Sequence, residues 1–218
     1  MMKKNSLHFG FTLIEMAIVL VIVGLMLGGL LVPLSAQMDQ RNYSETQKAL
    51  SDIKEALIGY ALSHPAADGK PHFPCPDTDG DGLENRTASA CTSAEGDLPT
   101  VDLGLPALDS WRNRYRYRVT NSFADNATGF TLASSGNITI RDAAAGNTVA
   151  SAIPVAIFSR GKNGAGAGTD EAENSDSTNA ILVAHAPTST VGNEFDDLVV
   201  WVPSGILFNR LVAAGKLP

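Results

Sequence analysis

The chain has 218 residues, about one domain's worth, with 44% apolar and 18% charged positions, which is a globular composition and excludes a disordered chain. Sixteen Lys and Arg stand against 23 Asp and Glu, a formal charge of -7, and this argues against nucleic acid as the main partner, because neutralising phosphates needs a basic face. The mean hydropathy of +0.02 is that of an ordinary soluble protein, but it averages an uneven chain.

From Phe11 to Leu34 the only charged residue in 24 positions is Glu15. A helix needs about 20 apolar residues to cross a hydrocarbon core, so the run reads as a transmembrane segment. Lys3 and Lys4 precede it, and the positive-inside rule places the N-terminus in the cytoplasm and everything after Leu34 outside. A removed secretory signal is the competing reading. Its apolar region would span only about 7–15 residues, and a carboxylate inside it would hinder insertion.

Glu15 needs a partner, because an unpaired carboxylate in lipid costs about 2 to 3 kcal/mol or more. No Lys, Arg or His follows it before Arg41. A cut between Gly10 and Phe11 would create the missing cation, since the new α-amino group would lie one helical turn from Glu15, on the same helix or a neighbour's. Gly10-Phe-Thr-Leu-Ile-Glu15 after a short leader with two lysines resembles the prepilin signature shared by type IV pilins and the pseudopilins of type II secretion. The resemblance implies that a membrane prepilin peptidase cuts after Gly10 and N-methylates Phe11. It also implies that Glu15 pairs with the amine of a neighbouring subunit during assembly. Removing the leader leaves 14 basic and 23 acidic residues, a formal -9. Gly24-Leu-Met-Leu-Gly28 is a G-x-x-x-G that lets helices approach closely, and Pro33 would loosen or kink the helix near the outer interface.

Beyond Leu34, Ala49, Leu50, Ile53, Ala56, Leu57, Tyr60 and Ala61 recur at spacings of three and four, one face of an amphipathic helix. One nearly continuous helix is expected over Phe11–Ser63, closed by His64-Pro65, because the residue before proline is pushed out of the helical region. The divisions are a leader over 1–10, a membrane and assembly helix over 11–34, the amphipathic half over 35–64 and a periplasmic head over 65–218.

Pro, Gly, Asp and Asn dominate to about Asp109, a stretch that calls for staples. Cys75 and Cys91 are the only cysteines, an even count that in an exported domain reads as a disulfide. Strand-like segments follow at Tyr115–Val119, Gly129–Ala133 with Asn137–Ile140 as a hairpin, Val149–Phe158, Ala180–Ala184 and Leu198–Val202. Pro203-Ser204 opens a short helix over Gly205–Ala214, with Gly215 as its stop. The expected fold is α+β, a long N-terminal helix packed on an antiparallel sheet head, which pilin heads resemble.

Two acidic stretches offer hard oxygens. Asp77-Thr-Asp79-Gly-Asp81-Gly82 has carboxylates at alternating positions and glycine at the sixth, like the front of an EF-hand loop, but its twelfth position is Ala88. Calcium is expected on Asp77, Asp79, Asp81 and Glu84, with Glu95 and Asp97 as the nearest further ligands. The second stretch, Gly161–Asp176 with Glu194, Asp196 and Asp197, yields the weaker metal candidates Asp170, Asp176 and Asp197. Leu108–Tyr117 resembles the D-P-W-G-N-P-Y-x-Y segment of pseudopilin heads at Asp109, Trp111, Asn113, Tyr115 and Tyr117, and departs from it at Ser110, Arg112 and Arg114. Asp197-Leu-Val-Val-Trp201 matches the closing segment of those heads, whose Gly/Asp-rich loop binds calcium. A nucleotide loop is excluded, since Gly161-Lys162 is followed by Asn. His64, His72 and His185 show no zinc spacing, and no G-x-S-x-G occurs.

These residues point to a structural subunit and not an enzyme. It would be stored in the bacterial inner membrane with its head in the periplasm, and assembled with other pilin or pseudopilin subunits by an inner-membrane platform into a type II secretion pseudopilus. The alternatives are a minor type IV pilin that primes, adheres or takes up DNA, and a membrane-tethered calcium-dependent hydrolase or carbohydrate-binding domain.

Overall fold

The structure is a computed structural model that describes residues 11–164, 166 and 168–218, with the side chains of 27 and 29–34 outside the description. The leader and Gly10 therefore lie outside the described residues. The elements in chain order are α1 (Leu13–Ser63), β1 (Arg86–Thr87), β2 (Ala90–Cys91), β3 (Glu95–Asp97), α2 (Thr100–Leu103), β4 (Arg116–Val119), α3 (Asn121–Ala124), β5 (Ile138–Arg141), β6 (Thr148–Ile153), β7 (Val155–Ser159), α4 (Thr169–Ser175), β8 (Ile181–Val183), β9 (Thr188–Thr190), β10 (Asn193–Phe195), β11 (Leu198–Val202) and α5 (Ser204–Ala213). This is the expected α+β arrangement, an N-terminal helix followed by antiparallel sheets. Contacts divide the chain into two compact units, Met1–Asn42 and Tyr43–Pro218.

In the second unit the apolar stripe of α1 is buried as its spacing predicts. Leu50, Ile53, Leu57 and Ala61 lie in the core, joined by Ile58 and, unexpectedly, by Thr46. The helix ends where Ser63 Oγ donates to Gly59 O (2.8 Å) and Pro65 blocks continuation. The stripe packs on a four-stranded antiparallel sheet of order β11-β7-β4-β3. Side chains alternate across β4: Tyr115, Tyr117 and Val119 join the α1 core, while Arg116 and Arg118 point to the opposite face. There Glu95 and Asp97 of β3 stand directly opposite Arg118 and Arg116, and the ion pairs at 2.5 Å and 2.8 Å satisfy charges that burial would otherwise penalise.

The far side of β7 and β11 is covered by a second sheet, β6-β5-β8, whose Ile138, Ile140, Ile153 and Leu182 pack against Ala156 and Phe158. Two strand expectations are corrected here. The apolar run Val149–Phe158 is two strands in two sheets, because Pro154 removes a ladder donor and Ala152 takes a left-handed φ of 55° at the corner. Gly129–Ala133 is not a strand and makes no hairpin with Asn137–Ile140. Phe130 instead drives its ring between Phe73 and Phe123, and Thr131–Ser134 closes a tight turn through a 3.0 Å backbone bond. Strand β5 pairs with β6 antiparallel and with β8 parallel, the one parallel pair among the described strands.

Helix α5 follows Pro203 and stops at Gly215, which has φ 66°. The expected disulfide is present between Cys75 and Cys91 and closes a ring of 16 residues' separation around the first acidic loop.

Candidate functional site

At the start of α1, Thr12 and Glu15 form a reciprocal capping box. Thr12 N–H and its hydroxyl both donate to Glu15 Oε2 (2.8 Å each), and Glu15 N–H donates to Thr12 Oγ1 at 3.3 Å. The carboxylate is thus held over the helix N-terminus, where unpaired backbone N–H groups and the helix dipole favour negative charge. Phe11 is exposed beside it, as are Leu13, Ile14, Ile18, Val19 and Leu20, an apolar surface that this chain leaves uncovered. Among the described residues nothing lies within 4 Å of where a Cβ would project from Gly24 or Gly28, so those positions leave room for another helix. Among the described residues no helix is long and apolar enough to cross a membrane, and part of the 11–34 run falls on residues whose side chains are not described.

The first acidic loop brings Asp77, Asp79 and Asp81 together, with one oxygen of each within 4.8 Å of the others. Asp77 is buried and organises the loop: its Oδ1 accepts from Asp79 and Gly80 N–H (3.1 and 2.7 Å) and its Oδ2 from Gly82 N–H (2.8 Å). Burial works against the Asp77 charge, but these backbone donors hold its carboxyl below the usual range. Gly80 and Gly82 sit at φ 85° and 87°, a conformation that favours glycine. Glu84 is not in the group; its Oε2 accepts from Cys75 N–H (2.8 Å) and pairs with Arg86 at 2.8 Å. Glu95 and Asp97 are committed to the arginines of β4.

The second stretch places the weaker candidates apart. Asp170 accepts from Ala144 N–H (2.7 Å) and faces His185 Nε2 at 3.3 Å. Asp176 accepts from the Thr178 hydroxyl and N–H, which hold its carboxyl low. Only Asp197 belongs to a cluster, and its companions are Glu171 and Asp196, with oxygens within 4.8 Å. Asp197 is buried and pushed up to about 7, first by burial and then by the charges of Glu171 and Asp196, against the hydrogen bond from Asn174 (2.8 Å) and the charge of Arg160. Asp196 is raised for the same first reason. Its Oδ2 accepts from the N–H groups of Lys162 and Asn163 (3.0 Å each), while its buried Oδ1 has no hydrogen-bond partner among the described residues. Glu171 was not among the expected ligands; it lies in α4 with Asn174, and both are buried to 0% exposure, which no pattern in the sequence marks.

The segment 109–113 forms a turn closed by Asp109, whose Oδ1 accepts from Trp111 and Asn113 N–H (2.9 and 2.8 Å). Arg112 occupies φ 73° there, a left-handed position where the pseudopilin segment it resembles carries glycine.

No curated protein and no solved structure matches the chain. Residues 6–31 match the family model described as the prokaryotic N-terminal methylation motif, which includes Phe11, Thr12, Glu15 and both glycines of the G-x-x-x-G. That motif is the signature of type IV pilins and pseudopilins, and this chain carries it at its N-terminus.

Proposed function

We propose that this pilin-like chain is a subunit of a type II secretion pseudopilus, cut after Gly10, methylated at Phe11, held in the inner membrane by residues 11–34 and assembled through α1 with its head in the periplasm. The observation that carries the reading is the methylation motif. It is supported by a carboxylate already held at the helix N-terminus by Thr12, amid exposed apolar side chains. In lipid an unneutralised carboxylate is costly, so an amine freed by cleavage on a neighbouring subunit is a partner that draws subunits into register. Secretion is favoured over a surface pilus by the Asp109–Tyr117 and Asp197–Trp201 segments.

The same reading includes a calcium ion on the head. Both carboxylate groups offer the hard oxygens that calcium takes. Support is stronger at Glu171, Asp196 and Asp197, where an oxygen with no hydrogen bond from the described residues is buried among three carboxylates, than at Asp77, Asp79 and Asp81, where backbone N–H groups already serve the buried carboxylate.

The intact mass and N-terminal sequence of the mature protein test the reading directly. N-methylated Phe11 is expected, and any other N-terminus overturns it. Fibres formed on overproduction should depend on a secretion assembly platform; dependence on pilus machinery instead would transfer the chain to the minor pilins.

A further inference from the structure

Thr46 is the one polar side chain in the buried stripe of α1, and it is fully buried. A hydroxyl there needs a partner, and it has one: Ser110 N–H donates to Thr46 Oγ1 at 3.3 Å. Ser110 belongs to the turn that Asp109 closes. The other side of that turn reaches the acidic loop, where Ser159 Oγ donates to Asp109 Oδ2 (2.5 Å) and accepts from Gly161 N–H (3.1 Å), and Asn113 Nδ2 donates to Gly161 O (2.6 Å). Gly161 is therefore held by both its N–H and its C=O. It has φ 57°, and a Cβ there would lie 2.1 Å from Asp196 Oδ1, so this corner admits only glycine. From the corner, Lys162 and Asn163 N–H bind Asp196, and Asp196 N–H in turn donates to Glu171 Oε1 at 2.9 Å.

We propose that the turn Asp109–Asn113 is a strut that fastens the acidic loop to the stem helix, with Asp109, Asn113 and Ser159 as positioning residues, so that order in the loop and order at Thr46 are coupled. Asp109 is buried, and its carboxylate joins the two halves because each oxygen serves a different one: Oδ1 shapes the turn and Oδ2 takes the loop. Beside the Ser110–Thr46 bond lies a groove of about 320 Å³ between α1 and residues 105–110, lined by Ala49, Ile53, Leu105, Pro106 and Tyr115. Loosening the loop frees the turn and changes the face that the stem helix presents there. The inference rests on the reading of α1 as the assembly helix for its consequence, but not for its test.

Hydrogen exchange of the full chain in detergent micelles, resolved by peptide, is that test. Thr46→Val keeps the volume and removes the acceptor. It should speed exchange about fivefold in peptides covering both 107–115 and 159–164, the weight of one ordinary hydrogen bond, while Thr46→Ser stays near wild type. From the other end, Ser159→Ala should speed exchange in 43–50, and it carries the test alone if Thr46→Val does not fold. Acceleration by Thr46→Val confined to 107–115, or an unchanged 43–50 in Ser159→Ala, would overturn the strut. The measurement uses unassembled subunits, so a failure to form filaments would count against the assembly reading and not against the strut.

Discussion

Asp197→Asn should make the calcium-free protein more stable above neutral pH, although it removes a buried group that the fold holds in place. The Asp197 carboxyl is pushed from its ordinary 3.8 up to about 7. The unfolded chain therefore releases this proton near the ordinary value, while the folded chain keeps it until about 7. The group costs nothing below the unfolded value, an increasing amount as pH rises through the window between the two, and a constant amount above it. About three pKa units correspond to about 4 kcal/mol at pH 8, an upper figure because part of the shift comes from the neighbouring Glu171 and Asp196 charges. Asparagine retains the bond from Asn174 through its carbonyl oxygen and can donate its amide to the neighbouring carboxylates. For a chain of this size about 1 kcal/mol moves the melting temperature by about 2–4 °C, so a rise on the order of 10 °C is expected at pH 8 in chelator, with none at pH 3.5. Millimolar calcium should narrow the gap by stabilising the wild type alone, by about 2.7 kcal/mol at a hundredfold excess over Kd. The assay is thermal unfolding followed by circular dichroism, with wild type and variant compared at each pH so that other titrating groups cancel. A variant less stable than wild type at pH 8 in chelator would refute the electrostatic argument, and equal responses to calcium would remove Asp197 from the ligand set.

Arg112→Gly should raise stability by about 1 kcal/mol by relieving a left-handed φ on an exposed side chain, and a lower melting temperature would count against it. His72 is buried with its Nδ1 unpartnered among the described residues, and burial first, then Arg86, lower its pKa against the charge of Glu84. Its contribution to stability is therefore present above about 6.5 and lost as pH falls below it, and His72→Gln should flatten that part of the unfolding profile. Replacing both Cys75 and Cys91 by serine should cost about 3 kcal/mol, from the chain entropy restored by opening a ring of 16 residues' separation, read by urea unfolding. Glu15→Ala should still be processed and methylated but fail to assemble, and normal filaments would sink the pairing argument.

The stem was readable because helical periodicity is local: spacings of three and four over Ala49–Ala61 name the buried face without any knowledge of what covers it. Thr46 escaped that reading because its partner, Ser110, is brought to it by the tertiary fold. The strands at Tyr115–Val119 and Leu198–Val202 were legible as β-branched or alternating runs, whereas Val149–Phe158 read as one strand, since only the two sheets reveal that Pro154 is a corner. The acidic loops show the same division. Alternating aspartates marked Asp77, Asp79 and Asp81, a local pattern that the backbone of one turn brings together. The second cluster joins α4 to the start of β11, and its members Glu171 and Asp196 carry no mutual spacing to detect.

By itself the sequence determined the N-terminal methylation motif and the α+β class, because each rests on residues adjacent in the chain. Only the tertiary structure decided which carboxylates meet, which of them burial pushes toward protonation, and how one turn ties stem to loop. Those depend on contacts between distant segments, where burial and hydrogen bonding set the energy of a charge and no local pattern records the outcome.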